Sequence, residues 1–338
     1  MEQSGAVADD RPGDAAPGAQ VDIIIVNWNS GTLLANCLGS VAAHGGAAVG
    51  RTLVVDNGSA DGSADVDVAG LDWTLIRTGA NLGFGRACNL AARQAEAPFL
   101  LFFNPDAELR PGTLDQALRF MRDPANARVG VAGIRLVDED GHVHRHCARF
   151  PTWRNFIGNS LGLTRLLKRR FPSMLMLDWD HGESRPVDHV MGAFYLIRRD
   201  LFERVGGFDN DYFVYLEDLD LSRRVYDAGY GIQYLVEPEA YHKQGGTSEK
   251  VKAHRLFYAM NSNMIYAWKH LSRPSALGVV GTTLLIEPVS RTVRALLRRS
   301  PEELWFTWRG FGMVYRDLPT TLRTLRGARG RAAGGVTR

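Results

Sequence analysis

About twenty polar, Ala-, Gly- and Pro-rich positions open the chain, and the pattern then changes abruptly to VDIIIV at Val21–Val26. A near-continuous β-branched run of this kind suits a strand covered on both faces. Further short apolar runs stand at Thr52–Val55, Trp73–Ile76 and Pro98–Phe103. Between them, Thr32–Ala43 and Gly83–Glu96 read as helices. The alternation predicts an α/β fold with a mostly parallel, doubly wound, Rossmann-like sheet. Ligands bind such sheets beyond the carboxyl ends of the strands. Polar clusters stand at those ends: Asn27 and Asn29 after the first strand, Asp56-Asn57 after the second, and Asn104-Pro105-Asp106 after the fourth. Each cluster taken singly is an ordinary turn former. Three on one rim point to a site.

Residues 129–186 are less regular. A hairpin is expected around Asp140-Gly141, followed by His142, His144 and His146 at period two. Three histidines on one strand face could hold a metal. The plainer reading, an exposed polar face, is preferred because no flanking acid or cysteine completes a ligand set.

Composition narrows the class. Net charge is +3 in 338 residues, so no global field calls for nucleic acid. Cys37, Cys88 and Cys147 lack metal-ligand spacing, and so sparse a set fits a reducing, cytoplasmic setting. No secretory signal and no spanning segment is expected. The first twenty residues read as a disordered tail. VNWNSG stands where a dinucleotide enzyme would carry GxGxxG, which argues against that class.

The decisive pattern is a series of motifs in order. Val54-Val55-Asp56-Asn57-Gly58-Ser59-Ala60-Asp61-Gly62-Ser63 is followed by Asn81-Leu82-Gly83-Phe84-Gly85-Arg86-Ala87-Cys88-Asn89, then by Phe103-Asn104-Pro105-Asp106. Later come Gly192-Ala193-Phe194 through Val205-Gly206-Gly207-Phe208-Asp209, Glu217-Asp218-Leu219-Asp220-Leu221, and His242 with Gly245-Gly246-Thr247-Ser248. The series resembles the family 2 glycosyltransferases over about residues 21–270, and within them the rhamnosyltransferase-type branch. Asp178-Trp179-Asp180-His181 and Val187-Asp188 agree with that branch.

The resemblance implies a GT-A fold over 21–270 and inverting transfer from a nucleoside diphosphate sugar. The first-choice donor is dTDP-L-rhamnose, and a UDP-hexose is the alternative. It implies Mg²⁺ or Mn²⁺ at Asp106 and His242, Asp218 as the base, and Glu217 binding the acceptor or orienting Asp218. Asn27, Asp56, Asn81, Arg86, Asn104 and Asp106 are the expected donor contacts. The chemistry fits, because a departing diphosphate needs cationic stabilisation and an acceptor hydroxyl needs a base. Asn104 replaces the first carboxylate of a DxD element and lowers the negative charge there. A non-catalytic nucleotide-sugar-binding scaffold is the rival from another class. Mutual repulsion among Glu217, Asp218 and Asp220 raises carboxyl pKa values, whereas a helix N-terminus lowers them, so the sequence leaves the sign open.

Residues 271–338 are expected to form a basic helical extension, with Arg291, Arg294 and Arg298 at helical spacing and Trp305 and Trp308 following. Together with the basic, Leu-rich stretch Leu161–Met176, this suits either peripheral contact with the inner face of the cell membrane or ordinary packing on the catalytic domain. The expected acceptor is a glycan or a polyprenyl-diphosphate-linked sugar in cell-surface polysaccharide synthesis.

Overall fold

The computed structural model describes residues 18–243 and 252–334. Most of the expected N-terminal tail, the Gly245–Ser248 segment and the last four residues lie outside the described residues.

The N-terminal half alternates as the pattern predicts: β1 (Val21–Asn27), α1 (Leu33–His44), β2 (Val49–Asp56), β3 (Trp73–Arg77), α2 (Phe84–Ala92) and β4 (Phe99–Phe103). A short β5 (Ala107–Leu109), α3 (Thr113–Arg122) and β6 (Val129–Val137) follow. The second half adds α4 (Trp153–Ser160), α5 (Leu163–Leu166), β7 (Arg185–Val187), β8 (Phe194–Arg198), α6 (Arg199–Arg204), α7 (Glu217–Asp227) and the long β9 (Gly231–His242). Helices α8 (Lys252–His270), α9 (Arg273–Gly281), α10 (Glu287–Leu297) and α11 (Pro301–Gly334) complete the described chain, with a π-helical turn at Thr282–Ile286 between α9 and α10.

One sheet runs β3-β2-β1-β4-β8-β6-β9-β5, with β7 also paired to β9. The first four strands are mutually parallel. Strand β8 enters antiparallel between β4 and β6, while β6 and β9 pair in parallel. Strand β1 is buried along its whole length. Ile23 and Ile25 join the core beneath α1 and α3, whereas Ile24 and Val26 join the core beneath α2 and α7. This two-sided burial explains the unbroken apolar run. The charge inside it, Asp22, accepts backbone N–H bonds from Arg51, Glu96 and Ala97, so it fastens β2 and the turn before β4.

The histidine segment departs from expectation. The turn at Asp138–Gly141 forms, with Val137 bridging Val143, but no strand continues through His146. His142 is exposed beside Asp138, His144 stacks edge-on against His242, and His146 is buried. The His146 Nε2 bonds the Ile134 carbonyl, and its Nδ1 accepts from the Met191 N–H. These bonds divert the segment from ladder pairing and leave the three rings in different environments.

Helices α8 to α11 form a layer against the α/β sheet domain. Tyr266 and Ile265 of α8 pack with Phe156, Tyr212 and Leu219. Met260 and Met264 meet Phe311 and Val314 of α11.

Candidate active site

The parallel register sets Asn27 beside Asp56 at the carboxyl rim of β1 and β2. Asn27 is fully buried. Its amide nitrogen donates to Asp56, Ser59 and Ser63 (3.3, 3.1 and 3.0 Å), and its oxygen accepts from Ser30 (2.5 Å). It therefore ties the two strand ends together from beneath. Asp56 also accepts from the Ser59 N–H and lies 3.6 Å from the Arg77 guanidinium. Arg77, at the end of β3, is a rim cation that the sequence pattern does not single out. Gly58 sits at φ +79°, where an added Cβ would lie 2.9 Å from the Ala80 backbone.

The next loop is equally braced. Asn81 accepts from Asn57 and from the Gly83 N–H, and Asn57 accepts from the Leu82 N–H. Gly83 has φ +87°, and a Cβ there would fall 2.3 Å from the Phe213 carbonyl. That close approach lets the Phe84 N–H bond the same carbonyl at 2.9 Å. Arg86, on α2, donates twice to the Asn210 carbonyl (3.1 and 2.8 Å). Its guanidinium thus joins α2 to the loop that leads into the acidic cluster.

At the end of β4, the backbone of Asn104 bonds the Ala193 carbonyl and receives the Ala107 N–H, which shapes the turn that presents Asp106. Ala107 pairs with His242 across β5 and β9. This register brings His242 Nε2 to 3.3 Å from Asp106 Oδ1. His242 is buried, and its Nδ1 has no hydrogen-bond partner among the described residues. An imidazole and a carboxylate converging in this way suit a divalent cation. Contrary to the expectation that no flanking acid completes a ligand set around the histidines, Asp138, Asp140 and His142 bring ligand atoms within 4.8 Å of one another, at a more exposed position.

Three acids in the first turn of α7 acquire different surroundings. Two non-glycine residues in the left-handed region, Tyr215 (φ 72°) and Leu216 (φ 63°), bend the chain immediately before them. Such strain persists only where the surroundings hold it, and it clusters at functional sites. Glu217 is buried against α2, and its Oε2 lacks a partner among the described residues. Burial, and then the neighbouring Asp218 charge, push its pKa up to about 8. Asp220 is also buried, which opposes ionisation. The His270 hydrogen bond at 2.7 Å and the Arg224 charge overcome that and hold its pKa down to about 2. Asp218 lies between them and is partly open to solvent. Its Oδ2 accepts the Gly192 N–H at 2.9 Å and lies 3.7 Å from His189 Nε2, while its Oδ1 accepts the Leu219 N–H. A Cβ on Gly192 would crowd Asp218 Oδ2 at 3.2 Å. His189 is itself held by Ser222 at 2.9 Å.

The acidic turn and the Asn104 turn belong to one rim. Asp218 bonds the Gly192 amide, and the next residue, Ala193, bonds the amide of Asn104. Lys269 and His270 at the end of α8 reach into the same region, pairing with Asp209, Asp211 and Asp220. Neither they nor His189 stand in any local motif, so sequence spacing offers no signal for them.

Comparison with known proteins agrees with this architecture. The family model described as "Glycosyl transferase family 2" matches residues 22–206. The chain belongs to that family. It is 30% identical over 265 residues to the N-acetylglucosaminyl-diphospho-decaprenol L-rhamnosyltransferase of Mycobacterium tuberculosis, covering 73% of this chain and 84% of the relative. It is 32% identical over 186 residues to the rhamnosyltransferase WbbL of Escherichia coli, covering 52% of this chain and 64% of the relative. Among solved structures, a Pyrobaculum calidifontis mannosyltransferase in complex with GDP-Man and Mn²⁺ aligns with a TM-score of 0.51 at 17% identity, over 97% of this chain and 92% of its own. The TarS 1–349 fragment from S. aureus aligns at 0.50 and 15% identity, over 88% and 91%. The fold is the GT-A fold, with a helical C-terminal region, and the protein is a glycosyltransferase.

Proposed function

We propose that this enzyme transfers an L-rhamnosyl unit from dTDP-L-rhamnose, with inversion, to a saccharide carried on a polyprenyl diphosphate. The observation that carries the transferred sugar and the acceptor class is the similarity to the M. tuberculosis rhamnosyltransferase across most of both chains. The geometry supports the following site roles. Asp218 accepts the proton of the acceptor hydroxyl as that oxygen bonds the anomeric carbon. The bond from that carbon to the diphosphate oxygen breaks, and the nucleoside diphosphate leaves with the electron pair. Gly192 and His189 orient the Asp218 carboxylate. Protonated Glu217 is a hydrogen-bond donor beside it, suited to the acceptor. Asp56, held by Asn27 and flanked by Arg77, faces the nucleoside. Asn81, Arg86 and Asn104 build the remaining donor wall.

Asp106 and His242 would hold Mg²⁺ or Mn²⁺, whose charge would offset that of the diphosphate. Among the described residues no helix is long and apolar enough to cross a membrane. In this reading a lipid-borne acceptor meets the enzyme at the inner face of the cell membrane. The test is donor hydrolysis and binding across a panel of nucleotide sugars with Mg²⁺ or Mn²⁺, beside an EDTA control. Selective, metal-dependent turnover of dTDP-L-rhamnose is expected. Preference for a UDP-hexose would replace the donor, and folded protein binding no donor would remove the catalytic reading.

A further inference from the structure

The helical layer carries an apolar face that no part of the described chain covers. In and just before α10, Leu285, Ile286, Val289, Val293, Leu296 and Leu297 are all exposed, Leu285 by 74% and Leu297 by 81%. Their spacing places the four on α10 in one arc of the helix, opposite the buried Glu287 and Ala295. Isolated exposed leucines are ordinary, but a continuous stripe of this length marks a contact surface.

Positive charge stands beside the stripe. The Ser290 hydroxyl donates to the Ser160 carbonyl at 3.1 Å, which seats α10 against the end of α4. From there the chain runs through α5 into the exposed cations Arg165, Lys168, Arg169 and Arg170, with Leu166 exposed by 80% among them. None of the four is paired with a carboxylate among the described residues. After His270 the sequence holds twelve arginines against four acids. Trp305 and Trp308 are half exposed at the start of α11, and the Arg309 guanidinium lies over the Trp305 ring at 4.8 Å. Aliphatic side chains, unpaired cations and half-exposed tryptophans are the groups that settle at the headgroup level of a bilayer.

We infer that the α10 stripe and the Arg165–Arg170 segment form one docking face for an anionic lipid bilayer, with the stripe entering the acyl boundary and the cations meeting the headgroups. This deepens the proposed function, on which it rests for the lipid-borne acceptor. The face sits on the helical layer whose α8 end holds Asp209, Asp211 and Asp220, so docking would fix the acidic turn relative to the membrane plane.

The test is co-sedimentation of the full chain with phosphatidylcholine vesicles, with and without phosphatidylglycerol. Binding is expected only to the anionic vesicles and should weaken as salt is raised to about 0.5 M. A Leu296→Asp/Leu297→Asp variant and a Lys168→Glu/Arg169→Glu/Arg170→Glu variant should each bind about tenfold or more weakly. Both should keep the wild-type melting temperature and wild-type donor hydrolysis, because the altered side chains are exposed. Equal binding by wild type and variants, or no binding by the wild type, would overturn the proposal. So would a dimer in sedimentation equilibrium that the leucine variant dissociates, in the absence of vesicle binding. Vesicle binding without donor hydrolysis fails the enzymatic reading and leaves the lipid face standing, whereas hydrolysis without vesicle binding does the reverse.

Discussion

On the proposed donor side of the rim, Asn27, Asp56, Asn57 and Asn81 bond one another and the loop backbone. On the acidic side, Glu217 buries an oxygen with no partner among the described residues, and two left-handed residues precede it. A fully satisfied polar network is rigid and holds a shape. A buried, unsatisfied carboxyl and local strain cost stability, and active sites retain both for chemistry. In the proposed function the contrast divides the work: the donor side would fix the nucleotide's position, and the acidic side would move the proton.

Asp218→Asn gives the sharpest break. The amide keeps the volume and can still meet the Gly192 N–H, but it cannot accept the acceptor proton. Turnover should fall by about 10²–10⁴-fold, the usual contribution of a general base. Donor affinity by calorimetry should stay near wild type. Unchanged turnover would take the proton-accepting role away from Asp218 and erase the division.

Asp106→Asn and His242→Ala come next. Each removes one of the two converging donors at the β4 and β9 ends. Transfer should fall by about 10²–10³-fold, as when a stabiliser of developing negative charge is lost. The concentration of Mn²⁺ needed for half activity should rise. Loss of activity with no change in metal requirement would move the cation elsewhere, with Asp138, Asp140 and His142 the first place to look.

Asn27→Ala probes the donor side as scaffold. It strands Asp56, Ser59, Ser63 and Ser30, and should cost about 1–3 kcal/mol in stability, the usual penalty for buried groups left unpaired. Turnover at saturating donor should change less than donor KM. A fall in turnover alone, at wild-type stability, would make Asn27 part of the chemistry.

The donor side is far more legible in the sequence than the acidic side, and the reason is physical. Strands β1, β2 and β4 are local apolar runs whose ends carry the polar residues, so reading the pattern locates the rim. Two-sided burial leaves β1 no alternation to obscure it. Glu217, Asp218 and Asp220 are visible as a cluster, but their charge states are not. That of Asp220 depends on Arg224, one turn along α7, and on His270, fifty residues away, and that of Glu217 depends first on how deeply it is buried. The orienting contacts of Asp218 come from His189 and Gly192, more than twenty-five residues upstream. The histidine segment misleads for a similar reason: period two suggests a strand, but the Ile134 carbonyl and the Met191 N–H claim His146 instead.

The smallest effect tests whether the unsatisfied carboxyl really carries a cost. A Glu217 pKa raised from 4.5 to about 8 means that the folded state binds a proton which the unfolded chain has released between those values. Stability must then fall as pH rises through that window, by linkage. Glu217→Gln keeps the neutral form at every pH, so it should match the wild type near pH 4 and exceed it above pH 8. The gap should be on the order of 1–2 kcal/mol, since a tenfold change in proton affinity is worth about 1.4 kcal/mol and relaxation around a buried charge absorbs part of the total. Thermal melts of both proteins at pH 5, 7 and 9 check this. Parallel melting curves across the series would mean that Glu217 is ionised and solvated in the folded state, and the contrast between the two sides of the rim would then rest on backbone strain alone.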